Sequence, residues 1–452
     1  MRQDMVSEKD RQIDGLVKKR LVWILIGIGL LAFVLRLLYI IKSQEYLNMN
    51  ADEMQRAAIS LAKNGYIGDI FVGSPGKSAH VAPMYAAILG CIYYIFGWNT
   101  VAGRFAQDVS AAIITSIGIG LLPLIAMKAK FSVKTGLIAG IVMALFPLNL
   151  WAETSGIWEQ PYAALMLLGL LWTFIVLHNE EWSRRRTVIQ TGIFVGAAAL
   201  LSPSLLPAVI IMFFGEFVMQ TGRRKEIILN GALIFAISLV MVTPWIIRNY
   251  YALGGFIPVR SNFGLELAIG NNPKATGKTF ITSSDDPDSP AYNMHPNSSN
   301  KERARMTELG ELAYMKEKQH QAVQWMKENP GRAAELVVKR FRLFWFPPID
   351  EWTSASPYRL YKSLAFTLIS LWMFIEVIKL FLFQHPYKWL LSAAVIGPSL
   401  IYMVTHADTR YHYPVFGLSL LFACNVTMWA WGFTRDVIRS RARGGVELPN
   451  SA

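Results

Sequence analysis

The chain has 452 residues, of which 53% are hydrophobic and 17% charged, and its formal net charge is +13. Soluble proteins carry about 25% charged residues, and here the deficit lies in long apolar runs. This excludes a disordered chain, a coiled coil and an ordinary cytosolic enzyme, and the two cysteines exclude a disulfide scaffold. The basic residues flank apolar runs, as in membrane proteins. We therefore predict an all-α, polytopic integral membrane protein with no nucleic-acid partner.

Ten apolar stretches are predicted to cross the membrane, since a crossing helix needs about 20 mostly apolar residues. An eleventh stretch, 81–97, is predicted to dip into the outer leaflet and return. All five short basic clusters then lie on the cytoplasmic side, as the positive-inside rule requires, whereas a full crossing would put every cluster from Lys128 onwards outside. The predicted crossings are 21–41, 101–127, 133–151, 157–178, 188–201, 203–219, 227–247, 363–383, 388–405 and 414–432.

This topology divides the chain into five parts and puts most of its polar, non-basic residues outside. In the first outer loop we predict a short interfacial helix, capped by Asn50 with Glu53 as capping-box partner and ended by Gly65. The parts are a basic cytoplasmic N-terminus (1–20), a transmembrane module (21–247) with the outer loop 42–100, a long extracytoplasmic loop with interfacial helices (248–362), the last transmembrane helices (363–432) and a basic cytoplasmic tail (433–452).

Acidic residues occur in two separate outer loops. Asp52 and Glu53 follow the first crossing, and Glu159 precedes a proline at the start of another, with Glu153 as a weaker candidate. Acids are favourable at helix N-termini without any function. Acids from two loops on one face could nevertheless converge on one hydroxyl or one cation, with Asp52 as general base.

Basic residues on the same face could neutralise a phosphate leaving group. The alternative is contact with lipid headgroups or snorkelling, which we also expect of Arg36 inside the first helix. The short segment His406–His412 contains two histidines, an aspartate and Arg410, but its spacing does not match a zinc site. The basic candidates are Lys77, Arg248, Arg260, Lys278 and Arg410.

Several segments together resemble the GT-C glycosyltransferases, over roughly residues 20–432. Beside the acidic pair and the acid–proline turn, they are Pro244-Trp-Ile-Ile-Arg-Asn-Tyr250, Gly270-Asn-Asn-Pro-Lys-Ala-Thr-Gly277, Asn329-Pro-Gly-Arg332 and Arg410-Tyr-His-Tyr-Pro414. Within that class the chain most resembles the bacterial branch of the protein O-mannosyltransferase and lipid A aminoarabinose transferase family.

The resemblance implies an enzyme of the bacterial cytoplasmic membrane with its site on the extracytoplasmic side. It would move a sugar from a polyprenyl-phosphate carrier to a glycan, lipid or protein acceptor, with inversion at the anomeric carbon. If the reaction uses a divalent cation, Glu159 would help to bind it. The resemblance implies Asp52, Glu53 and Glu159 as catalytic residues and Lys77, Arg248 and Arg410 as residues that bind the substrate. The further predicted substrate-binding residues are His80, Asn249, Arg260, Asn271, Lys278 and His412.

Two other functions fit part of the pattern. An O-antigen-ligase-type enzyme would take a pyrophosphate-linked glycan and would depend on Arg410 or His412, with Asp52 dispensable. A lipid or sugar transporter would need polar groups along the middle of several helices, and the sequence does not show such a series.

Overall fold

The computed structural model describes residues 2–180, 185–278, 289–351 and 358–442, and the regular structure of these residues is helical apart from isolated β-bridges. The α-helices in chain order are α1 (Arg2–Ser43), α2 (Glu53–Asn64), α3 (Pro83–Phe96), α4 (Val101–Lys128), α5 (Val133–Leu145), α6 (Leu150–Thr154), α7 (Gln160–Asn179), α8 (Arg185–Leu201), α9 (Leu206–Met219), α10 (Arg224–Leu253), α11 (Phe263–Gly270), α12 (Pro290–Met294), α13 (Asn300–Leu309), α14 (Glu311–Glu328), α15 (Pro330–Trp345), α16 (Arg359–Leu382), α17 (Lys388–Ile396), α18 (Leu400–Val404) and α19 (Tyr413–Ala442).

Among the described residues, six helical segments are long and apolar enough to span a membrane, and a seventh span results if α5 and the segment after it count as one. The predicted all-α membrane class is confirmed. Three other apolar helical segments, 83–96, 203–219 and 388–404, are shorter. The six long segments are Arg20–Ser43, Val101–Lys128, Gln160–Asn179, Thr221–Leu253, Arg359–Leu382 and Thr409–Asp436. How they are oriented in the bilayer stays a prediction.

Prolines explain two of the irregular helices. Pro147 follows Phe146, which has an extended backbone, and the chain bends there by 54° between α5 and the next segment. Pro203 likewise separates α8 from α9 after the extended residue Ser202. A proline removes a backbone N–H donor and disfavours a helical residue before it, so a continuous helix cannot form at either place.

The helices pack around two main apolar cores. The larger core lies among the long helices of the bundle, including α4, α7 and α19. The second joins α2 and α3 to α11 and α14 through residues such as Met54, Tyr85, Leu265 and Met315. The apolar face predicted for the first outer helix is therefore buried against protein, and this second core positions the loop segments around the candidate site.

The first outer helix begins two residues later than predicted. Asp52, and not Asn50, is its N-cap: the Asp52 carboxylate accepts from the backbone N–H of Glu53 at 2.7 Å. The side chain of Gln55 completes the capping box by accepting from the backbone N–H of Asp52 at 2.9 Å. The helix ends at Gly65, as predicted, in a left-handed conformation.

Arg36 does not snorkel. Its side chain is fully buried and lies 2.5 Å from the Glu153 carboxylate. It also donates to the carbonyls of Ala32, Met143 and Ala144, each at 3.0 Å. The last two carbonyls lie at the end of α5, where Pro147 lacks the N–H that would continue the helix and Met143 keeps only a bond from the backbone N–H of Phe146 at 3.3 Å. Arg36 therefore binds the end of the broken helix and also supplies the counter-charge of Glu153.

Candidate functional site

A cavity of about 1020 Å³ lies among segments that are far apart in the chain. Its wall combines the start of α2, the turn before α7, the junction of α8 and α9, the segment around α11, the segment around α12, and the junction of α18 and α19. Five of the predicted site residues line it: Asp52, Glu53, Glu159, Arg260 and Arg410. Acids and bases from four separate segments therefore line one cavity.

Asp52 presents its carboxylate to the cavity from the N-terminus of α2. Burial raises its pKa above the ordinary value and the charge of Glu53 adds to this, while Arg410 and a hydrogen bond from Trp158 act in the opposite direction. The carboxylate is thus close to a guanidinium and is more basic than an exposed aspartate, as suits a general base.

Glu53 points from the same helix end towards two histidines. Its two carboxylate oxygens lie 3.1 Å from Nε2 of His80 and 3.3 Å from Nε2 of His295. Burial alone would raise the pKa of Glu53, but the charges of His295 and His80 outweigh it and lower the pKa to about 2. Glu53 therefore stays ionised, and the adjacent acids Asp52 and Glu53 have different surroundings.

Glu159 is the acid of the second predicted loop and precedes α7. Its Oε1 lies 3.8 Å from a guanidinium nitrogen of Arg260 and accepts from the hydroxyl of Ser202 at 3.5 Å. Its Oε2 is buried without a hydrogen-bond partner among the described residues. The carboxylate thus has capacity for a further donor at the cavity wall.

Arg410 is held by aromatic rings. Its guanidinium lies over Trp158 at 4.8 Å and over Tyr411 at 5.2 Å, measured to the ring centroids. Tyr411 in turn stacks on Tyr402, with centroids 4.1 Å apart and an interplanar angle of 8°. The guanidinium also donates to the Tyr411 hydroxyl at 3.4 Å and lies 3.8 Å from the Asp408 carboxylate. Stacked rings fix the plane of a guanidinium, and a guanidinium held in this way can bind an anion.

His80 and Lys77 do not line the cavity. His80 is fully buried behind Glu53, and its backbone carbonyl accepts from Nε of Arg260 at 3.0 Å. His80 can therefore influence the cavity through its contacts with Glu53 and Arg260, which do line it. Lys77 is exposed in the loop before α3, and its contact with substrate stays a prediction.

Arg248 and Asn249 hold loops in place. Arg248 donates to the carbonyls of Ser78 at 2.8 Å and Ile67 at 2.5 Å. Asn249 is fully buried and donates to the carbonyl of Ile257 at 3.0 Å. Neither residue lines the cavity, so their predicted contact with substrate is left without geometric support.

Three further predicted residues lie behind the wall. Asn271 donates to the carbonyl of Val404 at 2.9 Å, and Lys278 pairs with Asp350 at 3.0 Å. His412 is buried among aromatic rings, and neither of its ring nitrogens has a hydrogen-bond partner among the described residues. These contacts are with protein, and binding of substrate by the three residues stays a prediction.

Sequence reasoning missed an acid–imidazole pair in the cavity. Nε2 of His406 lies 2.6 Å from Oε2 of Glu266, and Asn262 donates to Oε1 of that carboxylate at 2.7 Å. Burial alone would raise the pKa of Glu266, but the hydrogen bond and charge of His406 outweigh it and lower the pKa. The polar segment around His406 was a signal, whereas Glu266 lies in an apolar helix of eight residues that sequence analysis assigned to a loop.

Among the residues that the structure describes, one group of side chains could hold a metal ion. The ligand atoms of Glu53, His80 and His295 all lie within 4.8 Å of one another. Two imidazoles and a carboxylate suit zinc and similar transition metals better than magnesium. Glu159, the acid near which a cation was predicted, is not part of this group.

No family model and no curated protein matches the chain. Among solved structures it is similar to the oligosaccharyltransferase of the archaeon Archaeoglobus fulgidus. The apo form is 14% identical with a TM-score of 0.56, over 95% of this chain and 53% of that one. The complex with an inhibitory peptide and dolichol-phosphate is 12% identical with a TM-score of 0.53, over 96% and 53%.

A third structure of that enzyme, with zinc and sulfate, is 14% identical with a TM-score of 0.53, over 90% of this chain and 49% of that one. The chain thus spans about half the length of the protein it matches. A likeness at such low identity concerns the fold and leaves the reaction open. The chain has the GT-C fold that its sequence predicts.

Proposed function

We propose that the chain is a membrane glycosyltransferase that moves a sugar from a polyprenyl-phosphate carrier to an extracytoplasmic acceptor, with inversion. The observation that carries the proposal is the shared cavity of a partly buried carboxylate, Asp52, and a guanidinium stacked on aromatic rings, Arg410. The archaeal enzyme of similar fold binds dolichol-phosphate and an acceptor peptide, which supports a lipid-phosphate donor here.

The donor phosphate binds between Arg410 and Arg260, where the cavity offers two guanidinium groups. The apolar wall next to them, which includes Leu206, Pro207 and Ile401, suits the hydrocarbon chain of the carrier. This arrangement holds the sugar next to Asp52, because the Asp52 carboxylate lies close to Arg410, which binds the phosphate.

The reaction is a single displacement. Asp52 takes the proton of the acceptor hydroxyl while the oxygen forms a bond to C1 of the sugar. The bond between C1 and the phosphate oxygen breaks on the opposite face, and polyprenyl phosphate leaves with the electron pair. Arg410 and Arg260 stabilise the charge that develops on the phosphate, and the attack from the opposite face inverts the anomeric carbon.

The acceptor enters from the polar part of the cavity. Near Asp52 and Glu53 this part is lined by amides and hydroxyls that can bind sugar or peptide groups. Glu159 orients the acceptor hydroxyl or the sugar through its unfilled oxygen. The lining residues are Asn48, Asn50, Tyr292, Asn297 and Ser298.

A transition-metal ion would be held by Glu53, His80 and His295. When bound, it would supply positive charge next to the catalytic carboxylate. Nδ1 of His295 faces the backbone N–H of Asn297 at 3.1 Å, which leaves Nε2 directed towards Glu53 as the nitrogen that would bind the ion. We expect stoichiometric metal in the purified wild type and none in Glu53→Gln, measured by mass spectrometry of the elements; equal metal content in both would remove this assignment.

The test of the proposed function is Asp52→Asn in purified enzyme reconstituted in lipid, with a panel of polyprenyl-phosphate sugars. We expect transfer to fall about 10³-fold, as for loss of a general base, with carrier binding and thermal unfolding retained. Glu308→Gln, an exposed acid on α13, is the matched control. Wild-type turnover in Asp52→Asn would remove Asp52 from the mechanism.

The ligase alternative shares the requirement for Arg410, which does lie in the cavity. It differs in its donor, which would carry a pyrophosphate, and in not needing Asp52. An active Asp52→Asn variant together with an inactive Arg410→Lys variant, assayed with a pyrophosphate-linked glycan, would favour that reaction over ours.

A further inference from the structure

Arg340 is a buried cation in the middle of α15. Its side chain is 1% exposed, although the sequence pattern places it on a helix lying at the membrane interface. The guanidinium donates to the carbonyls of Met403 and Val404, each at 3.0 Å, to Oδ1 of Asn271 at 3.1 Å, and to the carbonyl of Gly270. Arg340 therefore joins the C-terminal ends of α11 and α18.

The partners of Arg340 are unusual for a buried cation. Within the part of the chain that the structure describes, no carboxylate forms an ion pair with it. Three of its acceptors are instead backbone carbonyls at helix C-termini, the negative ends of helix dipoles. A planar guanidinium can serve several such carbonyls at once, so the residue fixes backbone positions.

The two helix ends are in direct contact. A Cβ atom on Gly270 would lie 1.7 Å from the carbonyl oxygen of Thr405, so only glycine allows this approach. A little further along both segments, the backbone N–H of Ala407 donates to the carbonyl of Gly277 at 3.0 Å. Segments 263–278 and 400–407 thus form one unit, with Arg340 at its centre.

This unit carries the acid–imidazole pair of the cavity. Glu266 lies one turn before the end of α11, and His406 lies two residues after the end of α18. Both line the cavity, whereas Arg340 does not. We propose that Arg340 is a positioning residue, which holds α11 against the end of α18 and thereby places Glu266 and His406 where they bind hydroxyl groups of the substrates. The substrate role rests on the proposed function; the structural link does not.

The structural link is tested without substrate, by hydrogen exchange of Arg340→Met and Arg340→Lys in lipid nanodiscs. We expect exchange in 263–278 and 400–412 to rise at least tenfold in both variants, with 101–128 unchanged. Lysine keeps the charge but cannot bridge four oxygens. The control is Lys339→Met, a largely exposed neighbour on the same helix. Unchanged exchange, or a rise along the whole chain in both variants, would overturn the proposal, even if the wild type transferred no sugar.

The link to substrate is tested by a double-mutant cycle with Glu266→Gln. We expect each single change, Arg340→Lys or Glu266→Gln, to lower kcat/KM at least tenfold, and the double variant to be little worse than the poorer single one. Additive losses would show that Arg340 does not act through Glu266. If the wild type transfers sugar and Arg340→Lys retains its full kcat/KM, the positioning role is overturned.

Discussion

Glu153 and Glu159 lie six residues apart in one connection and have opposite surroundings. Both are nearly inaccessible, with 0% and 6% of their surface exposed. Glu153 lies 2.5 Å from Arg36 inside the helical bundle, whereas Glu159 lies 3.8 Å from Arg260 at the wall of the cavity. The two acids are therefore about equally buried. They differ in the distance to the paired arginine and in whether the side chain lines the cavity.

The comparison separates two uses of a buried acid. In the Arg36–Glu153 pair the two charges neutralise each other inside the protein, and the guanidinium also binds the end of α5. Glu159, in contrast, lines the cavity, whereas Glu153 does not. Changes at Glu153 should therefore affect the stability of the protein, and changes at Glu159 should affect its reaction.

The largest effect is expected for Glu153→Gln. It leaves the Arg36 charge buried without a counter-ion, which costs about 3–5 kcal/mol in proteins. We expect the free energy of unfolding in detergent to fall by about that amount. The double variant Arg36→Met with Glu153→Leu removes both charges and should recover much of the loss. A Glu153→Gln variant as stable as the wild type would contradict a structural role for the pair.

A smaller and different effect is expected for Glu159→Gln. Loss of the charge at the cavity wall should lower sugar transfer about 10²-fold, in the range for groups that act on a reacting hydroxyl. The amide has nearly the same shape, so thermal unfolding should not change measurably. If Glu159→Gln transfers sugar at the wild-type rate but is less stable, Glu159 has a structural role like that of Glu153. The proposed difference between the two acids would then be wrong.

The smallest effect is expected for Arg410→Lys. Lysine keeps the charge but loses stacking between Trp158 and Tyr411 and bidentate binding of phosphate. We expect KM for the donor to rise roughly tenfold, about 1.4 kcal/mol, with a smaller change in kcat. Arg332→Lys, on α15 and away from the cavity, is the matched control. An unchanged KM would place the phosphate elsewhere.

Six of the ten predicted crossings coincide with described helices that are long and apolar enough to span a membrane, and five of the cavity residues could also be predicted from the sequence. Apolar length is a local property of the chain, so it indicates such helices directly. Asp52 and Glu159 each precede a helix and follow a membrane segment, so local order was enough to single them out. The capping of α2 was misplaced by two residues because several polar residues before a helix can serve as its cap.

The contacts made across the chain could not be predicted. Glu266 and His406 are 140 residues apart, and neither local pattern indicates the other. The position of Arg340 in the sequence is typical of a charged residue on a surface helix. The position of Arg36 is typical of an arginine that snorkels to the bilayer surface. Both are buried because their acceptors come from distant segments, and no periodicity in α1 or α15 encodes those acceptors.

The burial of Arg36 has a consequence for the synthesis of the protein. Its acceptors Met143 and Ala144 come 107 and 108 residues later in the chain. While α1 enters the bilayer, its arginine therefore lacks the groups that neutralise it in the finished fold, and a lone charge at this depth is costly. The first helix must stay near water or a membrane insertase until α5 and α6 arrive. Completion of its insertion is thus coupled to a bent helical segment, α5 and α6, that is made much later in translation.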